Sequence, residues 1–510
     1  MSIATRLRRA AFAAPLAAAL LATMPAPAAA QAPALPPALP PALPSAEGAR
    51  AIAEAVREWL ARQLAGIVDV AALPLQVTAE GEAYRLEVPL GGSYADGNVV
   101  IAPAAVAIAA RPLEAGRWSI VSGTLPAALE VELKDASGGA PGRLRIGIES
   151  QQLTGTLDPS LASRSDFVTT VAGYTTEMIT AAGVQSSRIA RLTGRSEWLP
   201  SAPGRVTIQG DSTLEGYSTA SPLPGGQQAR VTIDRLGGAT RIENFNMAGF
   251  AELLRTAFAL GSAAQAGKTA GKPEGSAPKS AGPEEKATAL RMIGQIVGML
   301  DAIEAEYTYD NIKVDGGALF SGSLRRFGLG FTLGAPDGRT DVKLKLSAEG
   351  LESPMIPPGP WLEFIPHKIA LTPRVGGVPK EALLALIRRA VETDAKGIDA
   401  DAMALIAAYP VTLAIEDLLI DLGPLRLKGE GTMEVPNLAD AAGEAELRAT
   451  GLDALIRRAN AVPELKMAAP VLIFLKGIGR QEGAEVIWNI SYDAGKVTVN
   501  DTDLSDLMPK

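Results

Sequence analysis

From about residue 73 almost to the C-terminus, apolar residues return at every second position. Leu86 and Val88, then Leu129, Val131 and Leu133, then Leu144, Ile146 and Ile148 alternate with polar or small residues. Val206 and Ile208, Val231 and Ile233, Val342, Leu344 and Leu346, Leu425 and Leu427, Val486, Trp488 and Ile490, and Val497 and Val499 continue the pattern. A period of two marks a strand with one face buried and the other in water, and its repetition predicts antiparallel strands. About twenty can be marked out, which makes the expected fold mainly β, of the α+β kind.

A few segments switch to the helical period. Residues 46–66 place Ile52, Val56, Trp59, Leu60 and Leu64 on one stripe, with charges between them. Phe250, Leu253, Leu254, Ala257 and Phe258 form a second stripe, and Leu290, Ile293, Ile296, Val297 and Leu300 a third. The run ALIRRA occurs at 385–390 and again at 454–459, where arginines on an amphipathic helix account for it more simply than a repeat does. Residues 261–287 contain no aromatic or branched aliphatic side chain, so they are expected to form a flexible linker loop. That loop divides a half with an N-terminal helix, 46–260, from a second half, 288–510.

The N-terminus carries an address. Arg6, Arg8 and Arg9 precede the apolar run AAFAAPLAAALLA at 10–22, and Ala28, Ala29 and Ala30 offer a cleavage site. This is the pattern of a signal peptide over 1–30, which predicts a periplasmic protein with no transmembrane anchor after cleavage. The prolines of 31–45 suit an extended tether.

Composition then removes whole classes of chemistry. The 510 residues include no cysteine and one histidine, so there is no disulfide, no thiol nucleophile and no Cys-ligated metal. The formal charge of −8 gives nucleic acid nothing to bind. His367 is the one imidazole available to a catalytic triad, and no G-x-S-x-G elbow exists to pair with it. No catalytic residue, cofactor or metal site is therefore assigned.

Residues 446–509 resemble the end of YdgA-like envelope proteins and of a related alphaproteobacterial family of unknown function. There a helix pair precedes a hairpin whose last strand reads D-G-x-[LV]-x-V-N-G. Here Asp493 to Asn500 match with one inserted alanine, and Asp501 stands where glycine is usual. Residues 425–456 also look like the strand, turn, strand and helix near the C-terminus of AsmA-like proteins. The resemblance implies a long curved antiparallel sheet with an apolar concave face, and AsmA-like relatives are thought to carry phospholipid along such a groove.

On that reading Val206, Ile208, Val231, Ile233, Leu344, Leu346, Leu425, Leu427, Val497 and Val499 are the expected groove lining for a lipid or acyl chain. Arg388, Arg389, Arg457 and Arg458 are the candidates for headgroup contacts. Ordinary core packing remains an equal account of each apolar residue taken singly. Three functions stay open: a lipid-binding module, an envelope scaffold acting through a protein partner, and a hydrolase.

Overall fold

The computed structural model describes residues 44–505, except 64–73, 95–98, 134–141, 181–182, 224–226, 251, 254–255, 257–281, 318–319, 336–337, 357–358, 360–361, 363–364, 394 and 438–439. The signal-peptide segment, most of the proline tether and residues 261–281 of the expected linker lie outside this description. Two compact units divide the chain, at Asp301 and Ala302.

The N-terminal unit begins with helix α1 (Ala46–Gln63). Its strands are β1 (Gln76–Glu80), β2 (Ala83–Pro89), β3 (Gly92–Tyr94), β4 (Val99–Ile101), β5 (Ala105–Pro112), β6 (Trp118–Thr124), β7 (Ala128–Leu133), β8 (Gly142–Gly147) and β9 (Ser150–Leu157). Four longer ones follow: β10 (Ser165–Thr180), β11 (Gly183–Ala202), β12 (Arg205–Pro222) and β13 (Gln228–Asn246). Helix α2 (Pro283–Met299) closes the unit.

Every pairing described here is antiparallel. One branch runs β1, β2, β5, β6, β9 and the other β3, β4, β7, β8. They merge on β10, whose first half pairs with β9 and second half with β8, and β11, β12 and β13 follow in order.

The long strands change their inward phase partway along. Val171, Leu192, Leu214 and Leu236 are paired across β10 to β13, and all are buried. Three residues beyond Leu214, Tyr217 is also buried, although strict alternation would turn it outward. Gly216 lies between them with φ +62°, and Gly173 has the same value in β10. A left-handed residue in a strand resets the alternation as a bulge does, and a Cβ on Gly216 would lie 2.8 Å from that of Ala190.

Two clusters stand out among the described residues of this unit. Leu161, Trp198, Val206, Ile208, Phe245 and Met247 form one, with Met299 and Leu300 packed against it. Helix α2, which the sequence reading assigns to the C-terminal half, thus packs with the N-terminal unit. The second cluster seats Ala49 and Ile52 of α1 on Tyr84.

The C-terminal unit is a single meander. It contains β14 (Ala302–Asp315), β15 (Ser321–Gly334), β16 (Arg339–Glu352), β17 (Lys368–Pro379), helices α3 (Lys380–Glu392) and α4 (Ile398–Ala408), β18 (Val411–Asp421), β19 (Arg426–Val435) and β20 (Ala442–Thr450). Helices α5 (Leu452–Ala461) and α6 (Ala469–Ile478), then β21 (Arg480–Glu482), β22 (Glu485–Asp493), β23 (Lys496–Val499) and β24 (Thr502–Asp503), complete it. Strands β14 to β20 pair in sequence, β20 pairs with β22, and β22 receives β21 and β23. Helices α3 and α4 stand between β17 and β18, which pair, and α5 and α6 stand between β20 and β21, which both pair with β22. The two ALIRRA runs fall in α3 and α5. The expected fold class, mainly β with a long antiparallel sheet and few helices, is what the chain adopts.

Candidate functional site

Directly paired residues share a face, so the register of the C-terminal sheet sorts its side chains. One row reads Ile303, Leu333, Val342, Val375, Leu413 and Met433 across β14 to β19. The row through Tyr307, Leu329, Leu346, Leu371 and Leu418 and the row through Tyr309, Phe327, Ala348, Ile369 and Ile420 lie on the same side. This face is apolar over at least five strands.

The opposite face is polar. Lys343 lies directly across from Arg374, whose Nε donates to Asp341 Oδ1 at 2.8 Å, and both cations reach Glu416. The hydrogen bond from Lys343 holds the Glu416 carboxyl below its ordinary pKa; burial opposes this, and the charges of Lys343 and Arg374 add to it. Arg326 pairs with Asp310 at 2.8 Å, and Lys345 pairs with Glu306. Ion pairs of this exposed kind contribute little stability, but they fix which face meets water.

The apolar face is covered at the end nearest the C-terminus, and at the other edge Ala305 of β14 is buried. At the covered end Leu452 and Leu455 of α5 and Leu472 and Ile478 of α6 pack on Ala449, Val486, Trp488 and Val499. Among the described residues, Leu333, Val342, Val375 and Leu413, paired in one row over β15 to β18, are between 38% and 49% exposed, and Leu344, Ile369 and Ile415 are exposed as well. Helix α3 buries only Leu384, and α4 buries no side chain. A contiguous exposed aliphatic surface of this kind is a candidate binding surface.

The expected groove residues separate on this map. Leu344 and Leu346 lie on the apolar face, Leu344 exposed and Leu346 half-buried. Leu425 and Leu427 pack against the cluster under α5 and α6, and Val499 is buried within it. Val497 is half-buried in the same sheet, opposite Tyr492. In the N-terminal unit Val206 and Ile208 are closed core beside Trp198, not the wall of an open groove, because Phe245 and Met247 seal them. Val231 and Ile233 are half-buried on β13.

The headgroup candidates are likewise dispersed. Arg388 and Arg389 are exposed on α3, where Arg389 forms an ion pair with Asp401 of α4. Arg457 is exposed on α5, and Arg458 is half-buried. The structure does not bring the four together around one opening.

Sequence reasoning missed Leu333, Val375, Leu413 and Ile415. The signal was present in the alternation of Val411, Leu413 and Ile415, but the glycines and prolines around Val375 hide its strand.

His367 is exposed at the start of β17, and its backbone N–H donates to the Asp421 carbonyl at 2.7 Å. Ser353 lines the same shallow hollow as His367, but its hydroxyl donates to the Ser321 carbonyl at 2.7 Å. Among the described residues no group of three His, Asp or Glu side chains is arranged to hold a metal. No helix there is long and apolar enough to cross a membrane.

Residues 289–507 match a family described as an uncharacterized protein conserved in bacteria (DUF2125). The matched segment spans nearly the whole C-terminal unit, including the apolar face. No curated protein and no solved structure matches the chain.

Proposed function

We propose that the C-terminal unit holds a lipid acyl chain on the exposed apolar face of β15 to β18, and that the protein is a non-enzymatic lipid-handling component of the bacterial periplasm. The observation that carries this reading is the row of Leu333, Val342, Val375 and Leu413, four aliphatic side chains paired strand to strand and exposed among the described residues. Water against such a row is costly, and an acyl chain replaces it at about 0.8 kcal/mol per methylene buried, before the entropy of binding is charged. The aliphatic character of this row suits a ligand recognised by its length and apolarity. The AsmA-like and YdgA-like character of the C-terminal sequence and the signal-peptide pattern at residues 1–30 support the same assignment.

The test is mass spectrometry of the apolar material bound to protein from its native compartment, together with titration of a fluorescent fatty acid. Replacing Leu344 and Val375 by aspartate should abolish binding while leaving the circular dichroism spectrum intact. Wild-type protein that carries no lipid and binds no fatty acid would overturn the reading and leave the scaffold role in its place.

A further inference from the structure

Helix α6 presents a second apolar surface, on the outside of the same unit. Its sequence is APVLIFLKGI, and its inner side is well anchored: Ala469 is buried, Leu472 and Ile478 join the cluster around Trp488, and the Trp488 Nε1 donates to the Leu475 carbonyl at 2.8 Å. The Asn500 Nδ2 donates to the Ile478 carbonyl at 3.0 Å. This is a fixed helix and not a frayed one.

Its outward arc has no charge on it. Val471, Ile473, Phe474 and Leu475 are all exposed, and Met467, in the 3-10 turn that leads into the helix, is 91% exposed. Lys476 is drawn back to an ion pair with Asp453 of α5. Isolated exposed leucines are ordinary, but a helix whose whole solvent face is Val, Ile, Phe, Leu and Met is not.

The charge around this arc selects its occupant. Arg457 and Lys466 stand exposed beside this arc, while Lys476 pairs with Asp453 and Arg480 with Glu482. Two exposed cations beside an exposed apolar helix complement an anionic lipid surface, where the apolar side chains enter the acyl boundary and the cations meet the headgroups. A protein partner would not require that pairing of features, and the short helix is suited to lying in the interface and not to crossing it.

We infer that α6, with Met467 ahead of it, docks the C-terminal unit onto an anionic phospholipid bilayer. This inference does not rest on the acyl-chain reading, since α6 can seat the protein on a membrane whether or not the β15 to β18 face holds a lipid. Where both hold, the docked helix lies against the covered end of the sheet whose other end takes the chain.

Flotation with vesicles of phosphatidylcholine containing phosphatidylglycerol, and with phosphatidylcholine alone, tests it. Wild type should float with the anionic vesicles and not with the neutral ones, and added salt should release it. Val471→Ser with Phe474→Ser should cut the floated fraction roughly tenfold, and Arg457→Glu with Lys466→Glu should do the same. All four positions are exposed, so the circular dichroism spectrum and melting should not change. Leu344→Asp with Val375→Asp should float like wild type, which separates this docking from acyl-chain binding. Equal flotation of wild type on neutral vesicles, or undiminished flotation of both α6 variants, overturns the inference. So does a wild type that ignores vesicles and runs as a dimer that the Val471→Ser, Phe474→Ser variant dissolves, because a second copy then covers the helix.

Discussion

Val342 and Val375 face each other directly across β16 and β17, and both are nearly half exposed on the apolar side of the sheet. A paired aliphatic couple in the middle of a meander normally lies under a second layer, since that is what makes strand pairing worthwhile. Here α3 leaves the end of β17 without a loop and buries only Leu384. The sheet is held instead by its strand neighbours and the cluster at its far end.

Polar substitution should therefore be cheap on this row and ruinous in the N-terminal core. Val342→Ser is expected to cost less than about 1 kcal/mol, the strand-propensity loss of an exposed site. Ile208→Ser, beside Trp198 and Phe245, should cost about 3 kcal/mol or more, because it removes buried carbon and leaves a hydroxyl without water. Urea unfolding of the two variants decides it, and equal costs would mean that the row is covered in solution.

The same comparison explains what the sequence made legible. Alternation alone places Val206 with Ile208 and Leu344 with Leu346 on strands, and it marks both pairs as inward in the same way. Val206 is 1% exposed and Leu344 36%. The difference lies in residues far away in the chain: Phe245, Met247 and Leu161 close over Val206, and among the described residues no such cluster closes over Leu344. Periodicity reports a face and not what lies above it. The phase reset at Gly216 was also hidden, since a glycine in a strand does not declare its φ. The run VLIFLKGI of α6 reads as core by composition, and only the fold turns half of it outward.

Gly451 tests a local rule of the same kind. It precedes α5 with φ +84°, and a Cβ there would collide with the Pro424 carbonyl. Alanine at 451 meets both an unfavourable backbone conformation and a backbone clash, and should cost about 2–4 kcal/mol. Because α5 covers Ala449 and Trp488, the loss should appear as earlier exposure of Trp488 in fluorescence-detected unfolding. An unchanged transition would place the α5 entry elsewhere.

Asp158 gives the clearest pH dependence. This buried carboxylate accepts from the backbone N–H of Ser160 at 2.9 Å and of Ser163 at 2.7 Å, and from both serine hydroxyls at 2.6 Å. Burial acts to raise its pKa, but the four hydrogen bonds together carry it below the ordinary value of 3.8. A carboxyl whose folded pKa is depressed contributes stability that is complete above the unfolded pKa and disappears as pH falls through the folded one. Asp158→Ala should therefore destabilise the protein by about 2–4 kcal/mol at neutral pH, and the gap from wild type should narrow below about pH 4. Denaturation across that range measures it. A gap that does not change with pH would mean that the loop holds without the charge.

The closing hairpin offers a gain in stability. Val499 pairs with Thr502, so Asn500 and Asp501 form a two-residue turn, and both have positive φ, +43° and +68°. Such turns favour asparagine followed by glycine, and here Asp501 occupies the glycine position. Asp501→Gly should relieve the left-handed aspartate and raise stability by about 0.5–1 kcal/mol, read as a higher urea midpoint with an unchanged slope. Asn500 allows no such exchange. Its Nδ2 donates to the carbonyls of Ile478 and Ile487, at 3.0 and 2.8 Å, and its Oδ1 accepts from the Asn489 N–H at 2.9 Å. Asn500→Gly keeps the backbone at ease but removes the strut between α6 and β22, and should lose about 2 kcal/mol or more. Opposite signs at adjacent residues are the expected result, and a loss at both would show that Asp501 serves the turn through its side chain.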